Sequence, residues 1–146
     1  MTINSKRAVE ITLANQLGYE RVAMACSASF AQLFGFPKDR IEDLKTVVGE
    51  ASVNAMQHGN KGREDAKVTV SLKCNEDTVT VQVRDEGRGI EAFPPAPDIE
   101  KIIQDGKLIT GFGLFLMREL ADHVEFNKMT GQGHIVSMTI NMKAQV

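Results

Sequence analysis

The chain has 146 residues, a net charge of −2, 42% hydrophobic residues and 25% charged ones. That is one domain, long enough to bury a core, with no charge excess to draw it to nucleic acid or an anionic membrane. There is no basic run and no aromatic cluster for base stacking; the polar start Met1–Arg7 lacks the apolar run of a signal peptide, and the most apolar window, about 22–36, is too short and mixed to span a bilayer, so a cytoplasmic protein is expected.

Residues 8–13 alternate, with Val9, Ile11 and Leu13 on one side, which predicts a half-buried strand. Gly18 breaks that pattern. Residues 19–34 carry Val22, Cys26, Ser29, Phe30 and Leu33 at roughly helical spacing, and Gly35 ends the predicted helix. Cys26 and the distant Cys74 make no metal motif and read as core thiols.

Pro37 suits the first turn of the next helix, predicted to run to about His58. At ~100° per residue, Ile41, Leu44, Val48, Ala51 and Ala55 share one apolar sector, with Val47 at its edge. Glu50, Asn54 and His58 are spaced four apart and climb the flank of that sector. A carboxylate and an amide one turn apart at the margin of a buried face suit a pocket wall. They equally suit the polar rim of a surface helix. His58-Gly59-Asn60-Lys61-Gly62 stops the helix.

Two strands follow, about 68–74 and 79–84, joined by a turn at Asn75-Glu76-Asp77. Val79, Val81 and Val83 form the inward side of the second, and two residues further along the same parity lies Asp85. An inward carboxylate requires hydrogen-bond donors. A turn N–H would serve, and so would a ligand amino group. Asp85-Glu86-Gly87-Arg88-Gly89-Ile90 then carries two glycines that allow positive φ or close approach. By itself such a segment is often only a turn.

Residues 91–110, with Phe93-Pro94-Pro95-Ala96-Pro97 and one short helix at Ile99–Gln104 capped by Asp98, read as a lid. Thr110-Gly111-Phe112-Gly113-Leu114 opens a helix to about Ala121, and glycines ahead of a helix leave N–H groups free for phosphate. The same glycines also suit a flexible helix entry. Two strands, about His123–Lys128 and His134–Met142, close the chain, with Gly131-Gln132-Gly133 between them and Val136, Met138, Ile140 and Met142 inward. The expected fold class is an α/β two-layer sandwich: a mixed, largely antiparallel sheet of about five strands with helices on one face.

Glu-x-x-x-Asn on a helix, Asp-x-Gly-x-Gly after a strand, a lid, and Gly-x-Gly-Leu opening a helix occur here in that order. This resembles the N, G1 and G2 boxes of the ATPase superfamily that includes gyrase B, Hsp90, histidine kinases and MutL, the Bergerat fold. Asp43-Leu44-Lys45 leading to Glu50-Ala51-Ser52-Val53-Asn54-Ala55-Met56-Gln57-His58 resembles most closely the small bacterial anti-sigma-factor serine kinases. The resemblance spans about residues 8–142 and no other domain is expected.

The resemblance implies ATP and Mg²⁺ as cofactors. Asn54 would hold Mg²⁺ through its side-chain oxygen. Asp85 would accept the adenine amino group. Gly87 and Gly89, with Ile90 beside them, would let the backbone approach base and ribose. Gly111, Phe112, Gly113 and Leu114 would offer N–H groups to the phosphates, and Glu50 would be the general base. His58 would close the end of the nucleotide pocket, or serve a structural part only. The implied activity is serine-protein kinase and anti-sigma regulator. Its partners would be a STAS-domain anti-sigma-factor antagonist, a sigma factor or other regulator, and a second copy in a homodimer, with no direct nucleic acid and no membrane. An ATP-dependent binding switch without phosphotransfer is the alternative. A stand-alone histidine-kinase catalytic domain is a third, although His58, His123 and His134 are the only histidines and none lies on a separate dimerisation helix. Two features depart from the pattern. The lid is rich in proline and poor in glycine, and the Gly-Thr pair whose threonine lies near adenine in many members is replaced by Gly133-His134, or else its part falls to Thr139.

Overall fold

The computed structural model describes residues 7–87, 110–128 and 133–143, with only the main chain for 110–112. Gly89, Ile90, the lid up to its last residue, with Asp98 and the helix after it, and Gly131-Gln132 lie outside the described residues.

The elements are β1 (Ala8–Ala14), α1 (Glu20–Leu33), α2 (Lys38–Asn54), β2 (Lys67–Asn75), β3 (Thr78–Arg84), α3 (Thr110–Leu120), β4 (His123–Lys128) and β5 (His134–Asn141). The sheet order is β1-β2-β3-β5-β4, and all four pairings are antiparallel. Every second residue of β2 and β3 is buried, so one face of the sheet meets the helices and the other meets solvent. The two-residue turn between them puts Glu76 at φ 56°, the left-handed conformation that a tight hairpin demands at its first central residue.

Helix α2 lies between α1 and α3 and packs on β3 and β5. Leu44, Val47 and Val48 are fully buried against Val68, Val70, Leu72, Val79, Val81, Met138 and Ile140. Each such side chain contributes about 1.5–3 kcal/mol on leaving water. Val47, placed at the sector's edge by the helical wheel, is therefore inside the core. Cys74 is buried and Cys26 half-buried against the core.

Helix α1 ends in a Schellman motif. Gly35 takes φ 78° and donates to the Gln32 carbonyl at 3.1 Å, while the Phe36 N–H reaches the Ala31 carbonyl at 3.3 Å. Pro37 is the N-cap of α2 rather than a residue of its first turn, with extended ψ of 158°, and its carbonyl accepts the Ile41 N–H at 3.0 Å. The single helix expected to reach His58 is instead two segments, since α2 stops at Asn54 and a π-helical turn covers Ala55–Gly59. The Asn60 N–H closes that turn on the Ala55 carbonyl at 2.7 Å.

Buried Arg40 was invisible to the apolar pattern. Its guanidinium bridges Asp43 at 2.7 Å and Asp122 at 2.6 Å and donates from Nε to the Asn141 carbonyl at 2.9 Å. It ties the start of α2 to the α3–β4 turn and the end of β5.

Candidate functional site

The strand period carries Asp85 inward as expected, and it is 7% exposed. Its Oδ1 accepts the N–H of Gly87 at 3.0 Å and of His134 at 3.1 Å. Burial pushes this carboxyl above the ordinary aspartate value, with those two N–H groups and the nearby His134 and Arg63 charges pulling back.

The Asp85–Gly87 turn is clasped by the end of the α2 segment. A Cβ on Gly59 would overlap the Asp85 carboxylate, and one on Gly87 would overlap the Gly59 carbonyl. The two glycines thus meet backbone to backbone, and the wider π turn carries Gly59 to that contact. Asn60, fully buried, finishes the clasp. Its Oδ1 accepts the Glu86 N–H at 2.7 Å, and its Nδ2 donates to the Lys67 carbonyl at 3.0 Å and to Asn15 Oδ1 at 3.2 Å. Arg63 adds a bond from Nη2 to the Glu86 carbonyl at 3.0 Å. Sequence reading took Gly59 and Asn60 only as helix stops. The signal available was a helix-ending Gly-Asn pair directly after the polar stripe.

Beside this turn opens a cavity of about 240 Å³. Ala51, Ala55, Val83, Leu114, Met117, Phe126 and Val136 give it apolar walls, and Asn54, Asp85, Asn127, Lys128 and His134 supply polar groups. An apolar slot with few polar groups is the usual make-up of a small-molecule site.

The first turn of α3 adjoins the polar stripe of α2. A Cβ on Gly113 would lie 2.6 Å from Glu50 Oε2 and 3.7 Å from Asn54 Nδ2. Glu50 and Asn54 therefore converge on the N-terminal turn of α3, and the absence of a side chain at Gly113 makes room for the carboxylate. Burial raises the Glu50 carboxyl above its ordinary value. The amide Nδ2 of Asn54 is buried with no partner among the described residues.

Other candidates fall differently. His58 is half-buried in the π turn, its Nε2 buried without a partner among the described residues, and it does not line the cavity. Gly111, Phe112 and Gly113 stand inside α3, not ahead of it, because the helix starts at Thr110. The first four N–H groups of a helix lack intrahelical acceptors, which covers Thr110–Gly113 and leaves Leu114 within the ladder. Leu114 instead offers a buried side chain to the cavity wall. Thr139 pairs with Thr80 and His123 well along β5 and is not a cavity residue, whereas Gly133-His134 abuts Asp85. Among the described residues no group of three acidic, histidine or cysteine side chains could hold a metal, and no helix is long and apolar enough to cross a membrane.

A family model described as histidine kinase-like ATPase domain matches residues 13–140. The serine-protein kinase RsbW of Listeria innocua is 33% identical, over 80% of this chain and 76% of its own. The anti-sigma F factor of Clostridium beijerinckii is 30% identical, over 88% and 90%. Among solved structures, the SiaB–SiaC complex from Pseudomonas aeruginosa matches with a TM-score of 0.68 at 13% identity, covering 92% of this chain and 90% of that one. The RsbU and RsbW domains of a Mycobacterium tuberculosis protein match at 0.62 and 18% identity, covering 92% of this chain but only 32% of that one, so the chain spans about a third of that structure.

Proposed function

The chain belongs to the histidine kinase-like ATPase domain family, and from that premise we propose that it is an ATP-dependent serine-protein kinase and anti-sigma regulator. It phosphorylates a STAS-domain antagonist and, in its other state, holds a sigma factor or a comparable regulator. It works as a homodimer in this reading. The observation that carries it is the convergence of Glu50 and Asn54 on the first turn of α3, next to a cavity with Asp85 in its wall.

The residues present fit an adenine nucleotide. The cavity offers apolar faces for a flat base, and Asp85 accepts from its amino group. Asp85 Oδ1 is held by two main-chain N–H groups, which fixes the carboxylate before the base arrives. The first N–H groups of α3, which have no acceptor within the helix, suit phosphate oxygens. They fit Mg²⁺ as well: the Asn54 side chain borders this turn, and its amide oxygen is a hard ligand of the kind Mg²⁺ takes. No cluster of acids is required, because Mg²⁺ leans on substrate phosphates and water as much as on protein. When bound it neutralises charge on the phosphates as the γ-phosphoryl group moves.

Glu50 is the base in this reading. It takes the proton of the substrate serine hydroxyl as that oxygen forms its bond to the γ-phosphorus and the bond to the β–γ bridging oxygen breaks, leaving phosphoserine and ADP. A carboxyl raised by partial burial is a stronger proton acceptor than an exposed one.

The test is transfer of radiolabelled γ-phosphate from Mg-ATP in lysate of the source cells, with wild type and Glu50→Ala side by side. One small protein labelled on serine by wild type alone is the expected result, and it delivers the substrate for sequencing. An unlabelled lysate with ATP still bound refutes the kinase and leaves an ATP-dependent binding switch.

A further inference from the structure

Four residues from three separate stretches of chain close a ring of hydrogen bonds behind the Asp85–Gly87 turn. Asn15 follows the last rung of the β1–β2 pairing, Ala14 with Lys67. Asn60 Nδ2 donates to Asn15 Oδ1 at 3.2 Å, and Asn15 Nδ2 donates to the Arg63 carbonyl at 2.8 Å. Arg63 Nη2 donates to the Glu86 carbonyl at 3.0 Å, and the Glu86 N–H returns to Asn60 Oδ1 at 2.7 Å. A cross-link braces the ring, from Arg63 Nε to the Asn60 carbonyl at 3.3 Å.

The ring grips Glu86 by both main-chain polar groups, its N–H through Asn60 and its carbonyl through Arg63. On one side of Glu86 is Asp85, which lines the cavity, and on the other is Gly87, whose N–H donates to Asp85 Oδ1 at 3.0 Å. The aim of the carboxylate therefore depends on how firmly Glu86 is held. Asn15 contributes to that hold without lining the cavity. Asn60 is fully buried, and its Nδ2 carries two hydrogens for two acceptors, the Lys67 carbonyl and Asn15 Oδ1. Without Asn15, one buried amide hydrogen is left unpaired. A turn of the Asn60 side chain toward a new acceptor then releases the Glu86 N–H. The Arg63 carbonyl loses its donor in the same step, and linked bonds of this kind weaken together.

We propose that Asn15 is a positioning residue for base selection: through Asn60 and Arg63 it holds the Asp85 carboxylate in line for the exocyclic amine of adenine. This assignment rests on the nucleotide reading above and deepens it. It moves part of the preference for adenine out of the pocket, to the residue that follows β1. Its effect is confined to the amine, because the ring braces the turn that carries Asp85 and makes no contact with the Glu50–Asn54 stripe or the first turn of α3.

The experiment is equilibrium binding to the full chain by titration calorimetry, without protein substrate. The ligands are Mg-ATP and the magnesium complex of purine riboside triphosphate, which lacks only the exocyclic amine. Wild type should bind ATP at least about tenfold more tightly, the worth of a hydrogen bond to a charged acceptor. In Asn15→Ala that preference should shrink to about threefold or less through weaker ATP binding, while the analogue stays within about twofold of its wild-type affinity. Asn15→Asp keeps the acceptor for Asn60 Nδ2 and should keep the preference for ATP. A loss in Asn15→Ala that strikes both ligands equally marks a structural role alone and overturns the assignment. So does a wild-type preference that survives in Asn15→Ala. A preference lost in Asn15→Asp overturns it too, and that variant decides the matter if Asn15→Ala does not fold. Wild type that binds neither ligand, or both equally, overturns the nucleotide reading itself, an outcome seen without any variant.

Discussion

Asn60→Ala tests whether the clasp behind Asp85 sets both stability and nucleotide affinity. Asn60 is fully buried, and its side chain makes three hydrogen bonds, to the Glu86 N–H, the Lys67 carbonyl and Asn15 Oδ1. At about 1 kcal/mol net for each neutral bond, the loss is about 3 kcal/mol. In a domain of this size that lowers Tm by about 6–12 °C. The functional effect follows from geometry. Without the Asn60 acceptor, the Glu86 N–H no longer ties the Asp85–Gly87 turn to Gly59, and the carboxylate loses its fixed aim. Thermal unfolding and ATP titration on the same preparation should show a lowered Tm and weakened ATP binding together. Asn60→Asp separates the contributions, because it keeps the acceptor for Glu86 and loses the donor to Lys67 and Asn15. A shift of less than about 2 °C in Asn60→Ala, with wild-type ATP affinity, would refute the reasoning.

Burial raises the carboxyls of Glu50 and Asp85, so between the unfolded and folded values the native state binds more protons than the unfolded chain, and stability falls as pH rises through that window. Glu50→Gln and Asp85→Asn should therefore raise the nucleotide-free Tm at neutral pH, with the gain vanishing once the pH drops below the ordinary carboxylate range; a gain that grows in acid contradicts the sign. Gly113→Ala should leave Tm within a few degrees of wild type, since alanine favours a helix, yet reduce phosphotransfer at least tenfold because the new methyl displaces Glu50 from 2.6 Å away; normal turnover in a folded variant would dismiss Glu50 as base. Arg40→Met leaves Asp43 and Asp122 without their guanidinium and should cost about 3–5 kcal/mol in denaturant unfolding, the range for breaking a buried pair; a change below about 1 kcal/mol would mean that solvent already screens the cluster.

Much of this molecule is local, and local features are legible in one dimension. Alternation at period two places Val79, Val81, Val83 and then Asp85 inward without any knowledge of neighbours, because strand geometry sends alternate side chains to opposite faces. Helical spacing placed Ala51 and Ala55 inside and Glu50 and Asn54 at the rim for the same reason. The glycine at the end of α1 announced its Schellman turn. The order of the boxes pointed to the family, which the match over residues 13–140 bears out.

Contacts between distant segments decided the rest. No spacing shows that Gly113 makes room for Glu50 across 63 residues of chain, or that Gly59 and Gly87 meet backbone to backbone. Neither does any period reveal that Asn60 holds Glu86, that Arg40 reaches Asp122, or that His134 rather than Thr139 stands opposite Asp85. The π turn, too, departs from the 3.6-residue period that the apolar pattern follows up to Asn54. Periodicity reports which side of an element faces inward, since backbone geometry alone sets that. Which inward side chains meet depends on strand order, register and helix docking, and those are settled only when the layers pack.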